Sequence, residues 1–168
     1  MELNKAQNEF IQTWGALGSS WGIPKSMAQI HALLITSPSG LSTEEIMDRI
    51  QLSRGNVNIN VRELVNWKLV SKKNVLGERK EFFVAHHDIW GIAKNIVTER
   101  KKRELLPIKE LLTSLKDENL EGAKNEVEHF TTMIKELEEF VLQMDQLTEL
   151  LVKMNDNKFF KKMIKMLA

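Results

Sequence analysis

The chain has 168 residues, 42% of them hydrophobic and 28% charged, the size of one domain or of one domain with a helical extension, and too apolar for a disordered chain. With no cysteine, a disulfide framework, a thiolate zinc site, an iron–sulfur cluster and a cysteine nucleophile are excluded. The net charge of +1 conceals an uneven spread: residues 1–50 sum to −2, residues 51–109 to +7 and residues 110–168 to −4.

A basic middle between acidic flanks is the electrostatic footprint of a module that meets a polyanion, although Lys and Arg runs also serve simply to solvate a surface. No apolar run exceeds four residues, as at Ala32–Ile35, and Met1–Lys5 lacks the apolar core of a signal peptide. The expectation is a cytoplasmic protein with no membrane partner.

In chain order, Leu3, Ala6, Phe10, Trp14, Leu17 and Trp21 recur at steps of three or four and predict an amphipathic helix from Glu2 to about Trp21. Gly22-Ile23-Pro24 breaks it, and Met27, Ile30, Leu33 and Leu34 mark a second helix that stops at Ser37-Pro38-Ser39-Gly40. Ser42-Thr43-Glu44-Glu45 is a capping box opening a short helix to about Ile50. After the turn Gln51-Leu52-Ser53, Ser53 caps a helix from Arg54 to about Trp67, which completes a helix-turn-helix pattern.

Beyond Trp67 the period falls to 2. Leu69 to Lys73 and Glu81 to Val84 predict two strands around a turn holding Gly77, so that a hairpin wing follows the helix-turn-helix. Asp88 is placed to cap a long helix broken at Pro107, after which helices are expected near Ile108–Leu115, Glu121–Met154 and Phe159–Leu167. The predicted fold is mainly α with a small β-hairpin (α+β): an N-terminal helical region over residues 1–24, a winged helix-turn-helix domain over 25–87 and a helical dimerisation region over 88–168.

On the helix from Arg54, Val57, Val61, Leu64 and Val65 fall on one side, and Gly55, Asn56, Ile59, Arg62 and Asn66 on the other. Asn and Arg read adenine and guanine edges through paired donors and acceptors, an exposed Ile meets a thymine methyl, and the free amides at Ser53-Arg54-Gly55-Asn56 suit phosphate. Three asparagines in five residues, Asn56, Asn58 and Asn60, are a poor choice for a merely solvated helix. The expected DNA-contacting set is Ser42, Thr43, Ser53, Arg54, Gly55, Asn56, Asn58, Ile59 and Arg62, with Lys72 and Lys73 at the wing's base and Arg79 and Lys80 at its tip.

In the acidic third, Val127, Phe130, Ile134, Leu137, Val141, Met144 and Leu151 form a seam that another helix must cover, from its own chain or a second subunit, and these are the expected homodimer residues. Trp14, Trp21 and Trp90 are read first as packing residues and second as a pocket for a small-molecule effector, since indole faces attract cations. The four histidines are scattered and no hydrolase, phosphate-loop or zinc motif is present, so neither catalytic residues nor a metal or other cofactor is expected. His86-His87-Asp88 is the nearest approach to a metal motif, but adjacent side chains diverge and the Asp has a capping position.

Four stretches together resemble the MarR superfamily of winged-helix regulators, and most closely its GbsR branch: Trp14-Gly15 to Gly22-Ile23-Pro24, Leu41-Ser42-Thr43-Glu44-Glu45-Ile46, Leu52-Ser53-Arg54-Gly55-Asn56-Val57-Asn58 to Arg62-Glu63-Leu64, and Gly77-Glu78-Arg79-Lys80-Glu81-Phe82-Phe83. Trp90 to Arg103, Glu104-Leu105 and Pro107 fit as well, so the resemblance covers about the first two thirds of the chain. It implies a homodimeric regulator that binds double-stranded DNA, usually a repressor, in which a small ligand shifts the spacing of two recognition helices. The best known members sense choline, but no pocket residue here is matched to that ligand. Lys68 departs from the family, which commonly has glycine after the recognition helix. A winged helix that binds only protein is the alternative expectation, and a metal-dependent enzyme a distant third.

Overall fold

The chain opens with α1 (Leu3–Ser20) and α2 (Lys25–Ile35) in the computed structural model, which describes residues 2–116 and 118–153. At the end of α1, Gly22 takes a left-handed φ of +74°, Ile23 N–H donates to Gly18 C=O at 2.8 Å and Gly22 N–H to Ser19 C=O at 3.1 Å. This is a Schellman motif, and it reverses the chain onto α1. A methyl group at Gly18 would come within 2.5 Å of the Ala28 side chain, so the glycine sets how closely α1 and α2 approach. α2 is buried from Met27 to Leu34 and touches α1, α3, α4 and β3, which makes it the centre of the first unit's core.

Five short elements follow: β1 (Leu41–Ser42), α3 (Thr43–Ile50), α4 (Arg54–Asn66), β2 (Val70–Asn74) and β3 (Glu81–Ala85). The strands are antiparallel in the order β1-β3-β2, with Ser42 opposite Phe82 and Lys72 opposite Phe83. The expected two-stranded hairpin is therefore a three-stranded sheet. Two residues are too few to display a period of 2, and Ser42 both ends the strand and caps the helix after it. Ser42 Oγ accepts from Glu45 N–H at 3.3 Å while Glu45 Oε2 accepts from Ser42 N–H at 2.7 Å, the reciprocal capping box. Helix-turn-helix plus sheet make a winged helix of the α+β class.

Asp88 caps α5 (Ile89–Arg100), its Oδ1 accepting from Trp90 N–H at 3.1 Å. The expected break at Pro107 does not occur. A π-turn at Lys101–Leu105 leads directly into α6 (Leu106–Lys116), and Leu106 N–H donates to Lys101 C=O. The turn shifts the hydrogen-bond pattern by one residue just before Pro107, and the helix continues instead of ending. α7 (Lys124–Lys153) starts three residues later than expected, and the expected Phe159–Leu167 helix lies outside the described residues.

The chain forms two compact units that divide after Ile92. In the second, Leu112 of α6 and Val141 of α7 are buried, and charges link the helices: Asp145 lies 2.6 Å from Lys101 Nζ and 3.0 Å from Lys109 Nζ, and Glu138 lies 2.9 Å from Lys116 Nζ. Hydrogen bonds from Lys101 and Lys109 hold the Asp145 carboxyl below its usual range. Among the described residues no helix is long and apolar enough to cross a membrane.

Candidate nucleic-acid interface

α4 is fixed at both ends and along one side. Ser53 Oγ accepts from Asn56 N–H at 3.4 Å, and Val57, Val61 and Leu64 are fully buried. At the other end Lys68 N–H donates to Val65 C=O and Leu69 N–H to Leu64 C=O, both at 2.9 Å, a second Schellman motif whose buried Leu64 and Leu69 are its hydrophobic clasp. Held in this way, the helix leaves Arg54, Gly55, Ile59, Arg62 and Asn66 exposed on one face, Ile59 at 65% of its full accessibility. A methyl group at Gly55 would meet nothing within 4 Å, so packing does not require glycine there.

Four members of the expected set have other engagements. Ser42 is 2% exposed and its hydroxyl is spent on Glu45, so it is removed from the contact surface. Thr43 and Asn58 are half-buried and lie together, Thr43 Oγ1 donating to Asn58 Oδ1 at 3.5 Å. Arg54 Nη2 bonds Glu44 Oε1 at 2.8 Å, which ties the start of α4 to the start of α3. Asn60, noted in the sequence only as one of three asparagines of low helix propensity, is buried, and its Nδ2 donates to Asn56 C=O at 2.8 Å and to Asn56 Oδ1 at 2.6 Å.

On the wing, Lys72 pairs with Glu81 across β2 and β3 at 3.1 Å, while Lys73, Arg79 and Lys80 are exposed. Lys80 lies close enough for its charge to help hold the carboxyls of Glu44 and Glu45 below their usual range, after the hydrogen bonds that each makes with backbone amides and side chains. The wing thus returns beside the first turn of α3. Its apex is a turn in which Glu78 N–H donates to Val75 C=O at 3.0 Å and Gly77 takes a φ of +88°. Leu76, the fully exposed residue at that apex, was not singled out in the sequence, where an isolated Leu before glycine carries no distinguishing signal.

Trp14 and Trp21 meet edge to face with ring centroids 6.4 Å apart, and Phe10 packs on Trp14 at 5.4 Å. That is packing geometry on one stripe of α1. Trp90 sits apart in the fold order, in the first turn of α5. Along α7 the seven seam residues divide. Val141 is buried and Val127, Ile134, Met144 and Leu151 are half-buried, whereas Phe130 and Leu137 are exposed in a row with Met133, Phe140, Leu147 and Leu150. The seam is thus partly covered by its own chain, and of the outer row the sequence reading named Phe130 and Leu137 but not Met133, Phe140, Leu147 or Leu150.

No family model matches the chain, and no curated protein matches it. Among solved structures, one described as "Crystal Structure of a transcriptional regulator" superposes with a TM-score of 0.65 at 16% identity, over 88% of this chain and 95% of that one. At that identity the likeness establishes the fold, a winged helix with appended helices.

Proposed function

We propose that the chain is a transcriptional regulator of the GbsR branch of the MarR superfamily that binds double-stranded DNA by sequence. The observation that carries this reading is the face of α4 on which Arg62 and Ile59 are exposed and Asn56 is half-buried, in a domain whose wing exposes Lys73 and Arg79, while the opposite face is locked into the core. The solved neighbour described as a transcriptional regulator supports it. Arg62 and Asn56 read base edges, Ile59 meets a thymine methyl, and the amides of Arg54 and Gly55 with the wing cations hold phosphates.

The working form is a cytoplasmic homodimer acting as a repressor on an inverted repeat. Two apolar rows favour it: Phe130, Met133, Leu137 and Phe140 on α7, and Leu3, Phe10 and Leu17 on α1 with Trp21 at its C-terminal cap. A small-molecule effector belongs to the same reading, with the Trp14–Trp21 stripe as its first place to look.

Selection of bound sequences from a random duplex pool tests the proposal. A defined inverted repeat is expected, with half-site centres about 10 base pairs apart. Arg62→Ala should lower discrimination against random DNA by about 1–3 kcal/mol, whereas Arg79→Ala should weaken selected and random duplexes alike. Failure to bind any duplex at low salt would leave the winged helix as a protein-binding module.

A further inference from the structure

Asn60 is an unusual residue for its place. It lies beside Val57, Val61 and Leu64 on the side of α4 that enters the core, and it is more than nine-tenths buried. An aliphatic side chain there would favour both helix propensity and packing. Its amide is directed back one turn, where Nδ2 donates to the main-chain oxygen of Asn56 at 2.8 Å and to the Asn56 side-chain oxygen at 2.6 Å. The first bond would by itself satisfy a buried donor. The second reaches the side chain to which the proposed function gives a base contact.

We propose that Asn60 is a positioning residue that presets the Asn56 amide for base readout and so sets sequence preference at one base pair without touching DNA. An Asn side chain reads a base edge through a carbonyl oxygen and an NH₂ group that differ only by a half-turn about its last bond. In water the two orientations interchange freely. The Asn60 N–H can donate only to the orientation with Asn56 Oδ1 toward it, because the other would place two donors face to face. One lone pair of Oδ1 is thereby occupied, and the second lone pair and the whole NH₂ group remain for the major groove, with their orientation fixed before DNA arrives.

This inference rests on the DNA-binding reading, and its test separates the two. Duplexes are selected from a random pool with the wild type, Asn56→Ala, Asn60→Ala and Asn60→Ser; the serine hydroxyl still back-bonds to the Asn56 carbonyl but is too short to hold the side-chain oxygen. Asn56→Ala should relax preference at one base pair per half-site, roughly tenfold or more for a bidentate contact. Asn60→Ala and Asn60→Ser should relax that same base pair, roughly threefold to tenfold, and leave every other position intact. Adding Asn60→Ala to Asn56→Ala should change nothing further. Thermal unfolding of each variant checks that α4 remains folded, and a merely structural role would lower affinity at all positions together.

Full discrimination by both Asn60 variants, or relaxation at a different base pair, would overturn the inference while leaving the DNA-binding reading in place. A wild type that selects no sequence would overturn both.

Discussion

Arg54 at the first position of α4 donates to Glu44 at the second position of α3, Nη2 to Oε1 at 2.8 Å, with both side chains well exposed. The Glu44 carboxyl is held below its usual range first by its own backbone amide and then by Arg54. The pair is intact at neutral pH and, being exposed, adds little to stability. It does occupy an arginine that faces the expected phosphate path and places a negative charge beside it. Glu44→Gln should therefore raise duplex affinity by roughly twofold to fivefold at low salt, and the advantage should shrink as salt rises. Melting temperatures should differ little. Unchanged affinity would mean that Arg54 does not approach the duplex.

Gly55 separates folding from binding in a related way. At the second position of α4 it costs helix stability relative to alanine, and its missing methyl would meet only open space. Gly55→Ala should stabilise the protein by about 0.5 kcal/mol while weakening duplex binding, because the added methyl stands between the backbone amides and a phosphate. Denaturant unfolding and duplex titration of the one variant check both signs. A gain in both quantities would remove Gly55 from the interface.

Lys68 has a φ of +56°, the left-handed conformation that glycine adopts without strain. The motif is the same as that at the end of α1, where Gly22 occupies the corresponding place without strain. Lys68→Gly should raise stability by about 1 kcal/mol, since glycine carries no Cβ to crowd the following carbonyl. The measurement is a shift in urea midpoint with an unchanged slope.

Legibility in the sequence followed the range of the interactions involved. The capping box of Ser42 and Glu45, the Ser53 cap and the Asp88 cap each join residues two or three apart, and all three were readable from spacing alone. Asn60 was assigned to neither face because it lies only about 60° around the helix from Val57, at the border of the apolar stripe. Whether a border residue is buried depends on what α2 covers, which no local pattern records. The same limit explains the α7 seam: its 3-4 spacing identifies an apolar face, but only the packing of α6 separates buried Val141 from exposed Leu137. Pro107 shows a different limit, since a π-turn several residues upstream absorbs a residue that normally ends a helix.

His31 on α2 is buried, and its Nε2 has no hydrogen-bond partner among the described residues. Burial lowers its pKa from 6.5 to about 4, so the folded state holds the neutral imidazole where the unfolded chain binds a proton. Stability from this residue is complete above pH 6.5, declines as pH falls below it and is fully lost below about 4. The total is about 3 kcal/mol by linkage. His31→Leu should abolish this part of the acid sensitivity, flattening stability between pH 6.5 and 4. An equally steep decline in that variant would assign the sensitivity to other groups.

Leu137 and Val141 are one turn apart on α7, yet they answer different questions. Val141 is 7% exposed in the packing against α6, and Leu137 is 46% exposed in the outer row. Leu137→Asp tests assembly apart from folding. With the side chain already in water within its own unit, aspartate there costs the fold little, but it would place a charge against the apolar face of a second copy. Leu137→Asp should therefore yield a folded monomer by sedimentation at micromolar concentration, with far-UV helicity close to that of wild type. Val141→Ala should instead lower stability by roughly 1–2 kcal/mol while leaving the outer row complete. Because an inverted repeat needs two recognition helices acting together, the Leu137→Asp monomer should also lose most of its preference for paired over single half-sites. A wild type that sediments as a monomer, or a Leu137→Asp variant that remains a dimer, would take this row out of the interface and leave the α1 stripe of Phe10 and Trp21 as the surface to test.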